Sequence, residues 1–482
     1  MDGEQAPLWS AALGGRLSRR RLMGGAALTG LAALDPGLGV RVARGSQTPP
    51  LPTGDGPVLV RGAALIITMD PNLGEGPLGT IADGDVLFSG DRIVAVGPGL
   101  AAPGAAVLDA AGKIVMPGFV DVHTHFWQSV IRGGCTDQDL IGWLANCNRP
   151  ARAAIGERDI YPIVRLSTLD SISTGVTTVV DFAGFFPPPV AREYLRAHSD
   201  SGQRFVFSFQ QPPADVDEAK RIKSELIDPH PRALFCVTAG AGMSEVPNTT
   251  AMARLARELG VMLNIHLLEN IAQREEQQFL SLQLADALGP NLLVNHAIHL
   301  TDDEIAQLAA NGVRVAHNPL SNMRLASGII RLPDLRAAGL KIGLGLDGGT
   351  NDTADMFATM RAAVGLQRAL SLRADVYPTV PDVLRMATMG GAEVLDLADT
   401  IGSLTPGKKA DLLVLDPSRV NFAPRWDWVS QIVFNAQPAN VEYVFVDGRA
   451  LKAQGQLVGA PVEETIRGAE AAADRLRLAL QS

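Results

Sequence analysis

Residues 116–125, Met116-Pro117-Gly118-Phe119-Val120-Asp121-Val122-His123-Thr124-His125, decide the fold. The stretch opens on Pro-Gly, runs through apolar β-formers and closes on two histidines one residue apart. A short apolar run bounded by turn residues reads as a buried strand. Alternate residues of a strand share a face, so both imidazoles can reach one point. Seven runs of the same kind follow, at 176–182 (VTTVVDF), 204–210 (RFVFSFQ), 233–240 (ALFCVTAG), 261–266 (VMLNIH), 291–296 (NLLVNH), 313–318 (VRVAHN) and 341–347 (KIGLGLD). Helix-like segments such as 250–259 and 302–312 lie between them. Eight such runs alternating with helices over ~250 residues fit a (β/α)8 TIM barrel. The same alternation also fits an open doubly wound sheet.

The histidines separate the two. Of the 8 in the chain, His123, His125, His266, His296 and His317 fall at or just past the carboxyl end of a strand-like run, and Asp347 ends the eighth run. A closed barrel brings such positions to one face; an open sheet spreads them over tens of ångströms. Converging imidazoles with one carboxylate make a catalytic zinc or iron site. His266 and Glu269 add an H-x-x-E at the end of the fifth run. His198 and His230, in polar or Pro-flanked segments, read as surface residues. The G-x-G-x-x-G of Gly343–Gly348 is a decoy: no acidic residue follows at ~20 positions and no helix opens cleanly after it. H-E-x-x-H, G-x-S-x-G and H-x-E with P-C-x-x-C are absent, which excludes zincins, serine hydrolases and cytidine-deaminase folds by motif.

Outward from the barrel, residues 58–115 and 399–455 carry short strands with Gly90-Asp91 and Asp447-Gly448 at turns, and these read as one composite β-domain, a small sandwich. The barrel takes 116–398 and a C-terminal helix 456–482. Residues 46–57 form a linker. Before it, Arg19-Arg20-Arg21 precedes an uncharged run, 22–34, too short for a membrane span, which needs ~20 residues. Residues 1–45 therefore read as a twin-arginine-like signal segment, exporting the protein to the periplasm or beyond; without a working signal it would remain cytoplasmic. A net charge of -9 argues against nucleic acid or an anionic membrane as partner. The 3 cysteines do not supply a disulfide framework.

In order, PGFVDVHTHFWQ, IHLLE, NHAIHL, HNPLSN, GLDGG and the C-terminal IGSLTPGKKADLLVLD resemble the amidohydrolase superfamily, in the branch of cytosine, guanine, 8-oxoguanine and S-adenosylhomocysteine deaminases and triazine hydrolases. The resemblance spans about 58–455. It implies a distorted barrel with one divalent ion, zinc or iron, held by His123, His125, His266 and Asp347. It assigns proton transfer to Glu269 and a catalytic histidine to His296, with His299 the competitor. The absence of lysine from 224 to 340, where some members carry a carbamylated lysine bridging two ions, favours a single-metal site.

These roles make chemical sense. A bound ion lowers the pKa of water from about 15.7 toward ~7, and an acid-base group contributes ~10²–10⁴-fold. The expected reaction is aminohydrolysis: removal of an exocyclic amine from a purine, pyrimidine, triazine or related small heterocycle, with Glu269, His296 and Asp347 catalytic. Dechlorination or opening of a cyclic amide on the same scaffold is the alternative. Gln128, whose amide both donates and accepts, and Trp127 are the candidate substrate contacts. Phe185, Phe186 and Pro187–Pro189 are a candidate lid. Relatives of this kind are often dimers or larger, so a homo-oligomer stands beside a monomer.

Overall fold

A computed structural model describes residues 56–209, 216–348 and 353–481. The N-terminal signal-like segment lies outside them. Five strands open the described chain: β1 (Pro57–Ile67), β2 (Thr80–Ser89), β3 (Arg92–Gly97), β4 (Ala106–Asp109) and β5 (Ile114–Pro117). The eight expected runs follow as β6 (Phe119–Thr124), β7 (Val176–Gly184), β8 (Arg204–Phe209), β9 (Ala233–Thr238), β10 (Met262–Leu267), β11 (Leu292–His296), β12 (Arg314–His317) and β13 (Lys341–Leu344). After the last barrel helices come β14 (Leu412–Leu415), β15 (Val441–Val446), β16 (Arg449–Ala453) and β17 (Gln456–Leu457).

β6 to β13 form one parallel sheet in strict sequence order. Every residue of β6, β8, β11 and β12 is buried, as expected for strands covered on both faces, which read as continuous apolar runs. Val120, Val122, Val180, Val206, Leu293 and Ala316 fill the interior. The ring closes at its carboxyl end, where Thr124 bridges Asp347 in parallel and the Asp347 amide donates to the His123 carbonyl at 2.7 Å. Two glycines of the G-x-G decoy make this closure possible. A Cβ on Gly343 would lie 2.8 Å from Val122 Cγ1, and one on Gly345 would lie 2.2 Å from Asn318 Oδ1 and 2.9 Å from the His123 carbonyl oxygen. The glycines serve backbone approach, not phosphate binding.

The remaining strands build a nine-stranded, mainly antiparallel sheet, in which β4 pairs in parallel with β1. β5 pairs antiparallel with β14, from Pro117 opposite Leu412 to Ile114 opposite Leu415. That pairing joins the N-terminal strands to the C-terminal ones across the whole barrel sequence. The seam to the barrel is charged: Arg204 Nη2 at the start of β8 lies 2.5 Å from Asp447 Oδ1 and 3.3 Å from Asp411 Oδ2, all three nearly inaccessible. A final helix, Val462–Gln481, packs on the helix Glu157–Ser173, where Arg475 Nε donates to Asp159 Oδ1 at 2.6 Å. Among the described residues, no helix is long and apolar enough to cross a membrane.

Two expectations change. His198 is not a surface residue. It is fully buried and its Nε2 lies 2.7 Å from Asp181 Oδ2, which also accepts from Tyr194 Oη at 2.8 Å. The neighbouring sequence is polar, but the helix Pro188–Ser199 turns this face onto β7 and β8. The cysteines build no framework, yet Cys135 and Cys147 form one disulfide, while Cys236 is free and buried.

Candidate metal centre

The strand ends deliver their side chains to one point. His123 Nε2 and His125 Nε2 lie 3.2 and 3.1 Å from the same oxygen, Asp347 Oδ1, and His266 Nε2 lies 3.3 Å from His125 Nε2. His296 joins from β11: donor atoms of His123, His266, His296 and Asp347 all lie within 4.8 Å of one another. His296 faces the other carboxylate oxygen, with Nε2 3.8 Å from Asp347 Oδ2 and 3.5 Å from Glu269 Oε2. His123 and His125 thus face one oxygen of Asp347 and His296 faces the other, with Glu269 beside His296. Five of the six strand-end positions expected from the sequence, all but His317, meet here. His317 is buried nearby with neither ring nitrogen hydrogen-bonded.

Neighbours fix the orientation of these rings. His125 Nδ1 lies 2.8 Å from the Phe182 carbonyl oxygen and donates to it, leaving Nε2 as a lone pair toward the centre. His296 Nδ1 accepts from the amide groups of Asn322 at 2.9 Å and Asn318 at 3.3 Å, so its proton sits on Nε2, toward Asp347 and Glu269. Ser321 Oγ donates to Asp347 Oδ2 in a very short hydrogen bond. These three residues, Asn318, Ser321 and Asn322, belong to the HNPLSN motif and not to its histidine end. His296 (φ 72) and Asp347 (φ 48) both sit in the left-handed backbone region. Non-glycine residues held there store strain of order 1–3 kcal/mol, a recurrent feature of functional sites.

Burial keeps the imidazoles of His123, His266 and His296 neutral. It lowers His123, it takes His266 well below the ordinary imidazole range, and it brings His296 down to about 3. Burial alone would raise Asp347, but His296, His123 and His125 hold it well below the usual carboxylate range. Glu269 goes the other way, pushed well above that range by burial and by the negative charge of Asp347. Neutral imidazoles and an ionised carboxylate are the forms that bind a metal. The donors also fit an ion by what they lack. His123 Nε2 is within reach of Asp347 yet makes no hydrogen bond, and His296 Nε2 and Glu269 Oε1 have none either. Such groups are rarely left unsatisfied in a buried site.

A cavity of about 250 Å³ opens on this cluster. Trp127 and Gln128, both nearly inaccessible, line it together with His125, His266, Glu269 and Asp347. Gln128 Oε1 has no hydrogen-bond partner. The expected lid does not form: Phe186 is buried 6.0 Å from the Trp127 ring, and Pro188 begins a helix. His299 is held away from the centre by the Ser327 carbonyl at 2.8 Å. Part of the remaining wall comes from residues outside the motifs, among them Leu140, Trp143, Asn148 and Arg152 from the segment after β6, and Arg324. The Cys135–Cys147 disulfide brackets part of that segment. Nothing local in the sequence marks it as pocket wall; its helices are short and follow no motif.

Comparison with known proteins gives this geometry a family. A family model described as "Amidohydrolase family" matches residues 114–451. The chain belongs to the amidohydrolase family. A 5'-deoxyadenosine deaminase of Methanosarcina mazei is 30% identical over 435 residues, covering 86% of this chain and 97% of its own. A 5-methylthioadenosine/S-adenosylhomocysteine deaminase of Symbiobacterium thermophilum is 34% identical over 392 residues, covering 76% and 88%. Among solved structures, an adenosine deaminase from Xanthomonas campestris with bound zinc superposes with a TM-score of 0.79 at 26% identity, covering 87% of this chain and 98% of its own. This amidohydrolase is therefore a metal-dependent hydrolase of carbon–nitrogen bonds that uses a single divalent ion, with zinc the metal of its structural relative.

The comparisons also correct the export expectation. The Methanosarcina relative spends 97% of its own length on 86% of this chain, which leaves too little unmatched for a counterpart of residues 1–45. With no such segment in a relative so nearly complete, assignment to the periplasm or the exterior is withdrawn.

Proposed function

We propose that this amidohydrolase is an aminohydrolase (deaminase) that replaces an exocyclic ring amine by oxygen, converting C–NH2 and water into C=O and ammonia. The observation that carries the reading is the division at Asp347. His123 and His125 face Oδ1, with His266 beside His125, whereas His296 faces Oδ2 and lies against Glu269, which lines the cavity. His123, His125, His266 and Asp347 are the residues to hold the zinc; His296 stands beside them as a proton donor. A zinc ion in such a set supplies Lewis acidity that makes water nucleophilic near neutral pH.

The chain's own residues do the rest. Glu269 transfers one proton of the attacking water to the ring nitrogen next to the attacked carbon, then carries the second proton, from the hydroxyl so formed, to the departing amine, leaving C=O and ammonia. His296, neutral and protonated on Nε2, donates to the oxygen that develops charge. Asp347 Oδ2, steadied by Ser321, orients the attacking water. Gln128 offers its unpaired Oε1 to an N–H on the ring edge, and Trp127 forms the wall along which a flat ring lies. The relatives named as deoxyadenosine, methylthioadenosine and adenosine deaminases support an aminopurine before a pyrimidine or triazine. Ammonia release from zinc-loaded protein, measured over adenosine, 5'-deoxyadenosine, cytosine and an aminotriazine, tests the reading. Chloride from a chlorotriazine, or a ring-opened acid from a cyclic amide, in place of ammonia would overturn it.

A further inference from the structure

The cavity wall contains two guanidiniums, Arg152 and Arg324. They differ in their surroundings. Arg324 lies 5.2 Å over the Trp143 ring and acts electrostatically on Glu269. Arg152 is half-buried, and among the described residues no carboxylate faces it; the charge that acts on it is that of Arg149, which is repulsive. Its place is nevertheless built. The guanidinium lies over Gly184 at the end of β7, where a Cβ would stand 3.5 Å from Arg152 Nη1 and 3.9 Å from Trp127 Nε1. Gly184 itself lines the cavity and has φ 76, the left-handed region that favours glycine, so the turn at the end of β7 sets the backbone against the arginine beside the Trp127 wall.

A half-buried cation repelled by its neighbour is costly unless something negative meets it. Arginine presents a planar fork of donors that matches two oxygens at once. We propose that Arg152 is a specificity-determining residue of this active site and that it receives a carboxylate-bearing substituent of the heterocyclic substrate. The inference rests on the deaminase reading for the identity of the ring and adds the charge of its substituent.

The test uses the full-length, zinc-loaded protein and three matched pairs: adenosine and adenosine 5'-carboxylate, cytosine and cytosine 5-carboxylate, and 2,4-diamino-1,3,5-triazine and its 6-carboxylate. Binding is read by tryptophan fluorescence and thermal shift, and turnover by ammonia. A charge-assisted contact predicts that wild type binds the acidic member of at least one pair roughly tenfold to a hundredfold more tightly. Arg152→Gln abolishes that ratio, Arg152→Lys retains part of it, and Arg149→Gln, on the exposed neighbour, retains it in full. Equal binding within every pair by wild type, or a preference that survives in Arg152→Gln, overturns the proposal. Should Arg152→Gln fail to fold, the wild-type pair ratios and Arg152→Lys decide. Selective binding of an acidic member with no ammonia from any compound would keep the anion site and sink the deaminase reading instead.

Discussion

Replacing Glu269 by glutamine is the most direct probe of the chemistry. The side chain is 5% exposed, with Oε2 3.5 Å from His296 Nε2 and Oε1 unpaired at the cavity. Glutamine keeps the shape and the reach but cannot accept and return a proton. Loss of a positioned acid-base group costs ~10²–10⁴ in rate, which at about 1.36 kcal/mol per tenfold is roughly 2.7–5.4 kcal/mol of transition-state stabilisation. The loss should fall on kcat, with KM nearly unchanged, because the cavity is the same size. Zinc content should also be unchanged, since Glu269 lies against His296 and is not one of the proposed ligands. Stability should hold or rise: burial and Asp347 both disfavour the ionised Glu269 carboxyl, and a neutral amide escapes that repulsion. Glu269→Asp withdraws the carboxyl by about one carbon–carbon bond, ~1.5 Å, and a displacement near 1 Å costs ~10²-fold. The assay is steady-state ammonia release with the best substrate, alongside metal analysis of the same preparation. A Glu269→Gln enzyme with full zinc and undiminished kcat would refute the proton-transfer role.

Four further outcomes follow from the geometry. His296→Asn should lower kcat while keeping zinc, whereas His123→Ala or His266→Ala should lose zinc on dialysis; equal zinc loss in all three would make His296 a ligand. Gly345→Ala places a methyl 2.2 Å from Asn318 Oδ1 and against the His123 carbonyl, so zinc affinity and activity should fall together, and a fully active variant would show that the closure tolerates bulk there. Removing zinc with a chelator should lower the thermal midpoint, because a ligand present at 1,000 times its Kd stabilises by ~4 kcal/mol, and re-addition should restore it. Arg204→Met leaves the buried Asp411 carboxylate without its cation at the seam, while Asp447 keeps Arg232 and Lys409 at 3.8 Å, and should cost ~3–5 kcal/mol near neutral pH in urea denaturation.

That last deficit should depend on pH. Burial raises Asp411, and Arg204 opposes the rise. Without the arginine its folded pKa climbs further above the unfolded value of 3.8, so the folded variant binds more protons than the unfolded chain in that interval. Its stability therefore falls as pH rises through the interval, and the deficit against wild type should narrow on acidification from neutrality. A deficit that widens on acidification would contradict the assignment.

Much of the site could be read in one dimension. Strand runs are local in sequence, and the end of a strand is where a barrel places its chemistry, so His123, His125, His266, His296 and Asp347 announced themselves by position. Glu269 followed from its spacing to His266. The residues that orient them were harder. Asn318, Ser321 and Asn322 sit in a visible motif, but which of its atoms face His296 and Asp347 depends on how the turn after β12 lies across the barrel mouth. His198 looked exposed because its neighbours in sequence are polar; burial is set by its neighbours in space.

Sequence alone determined the eight-fold alternation, the donor types and their order, because periodicity and residue chemistry are written residue by residue. Tertiary structure alone decided the closure of Thr124 on Asp347, the pairing of β5 with β14, the Cys135–Cys147 bond and the exposure of Arg152 to the cavity. Each of these is a contact between segments with no shared local pattern. Such contacts arise only when folding brings distant parts of the chain within a few ångströms, and it is at that range that charge, hydrogen bonding and burial assign a side chain its work.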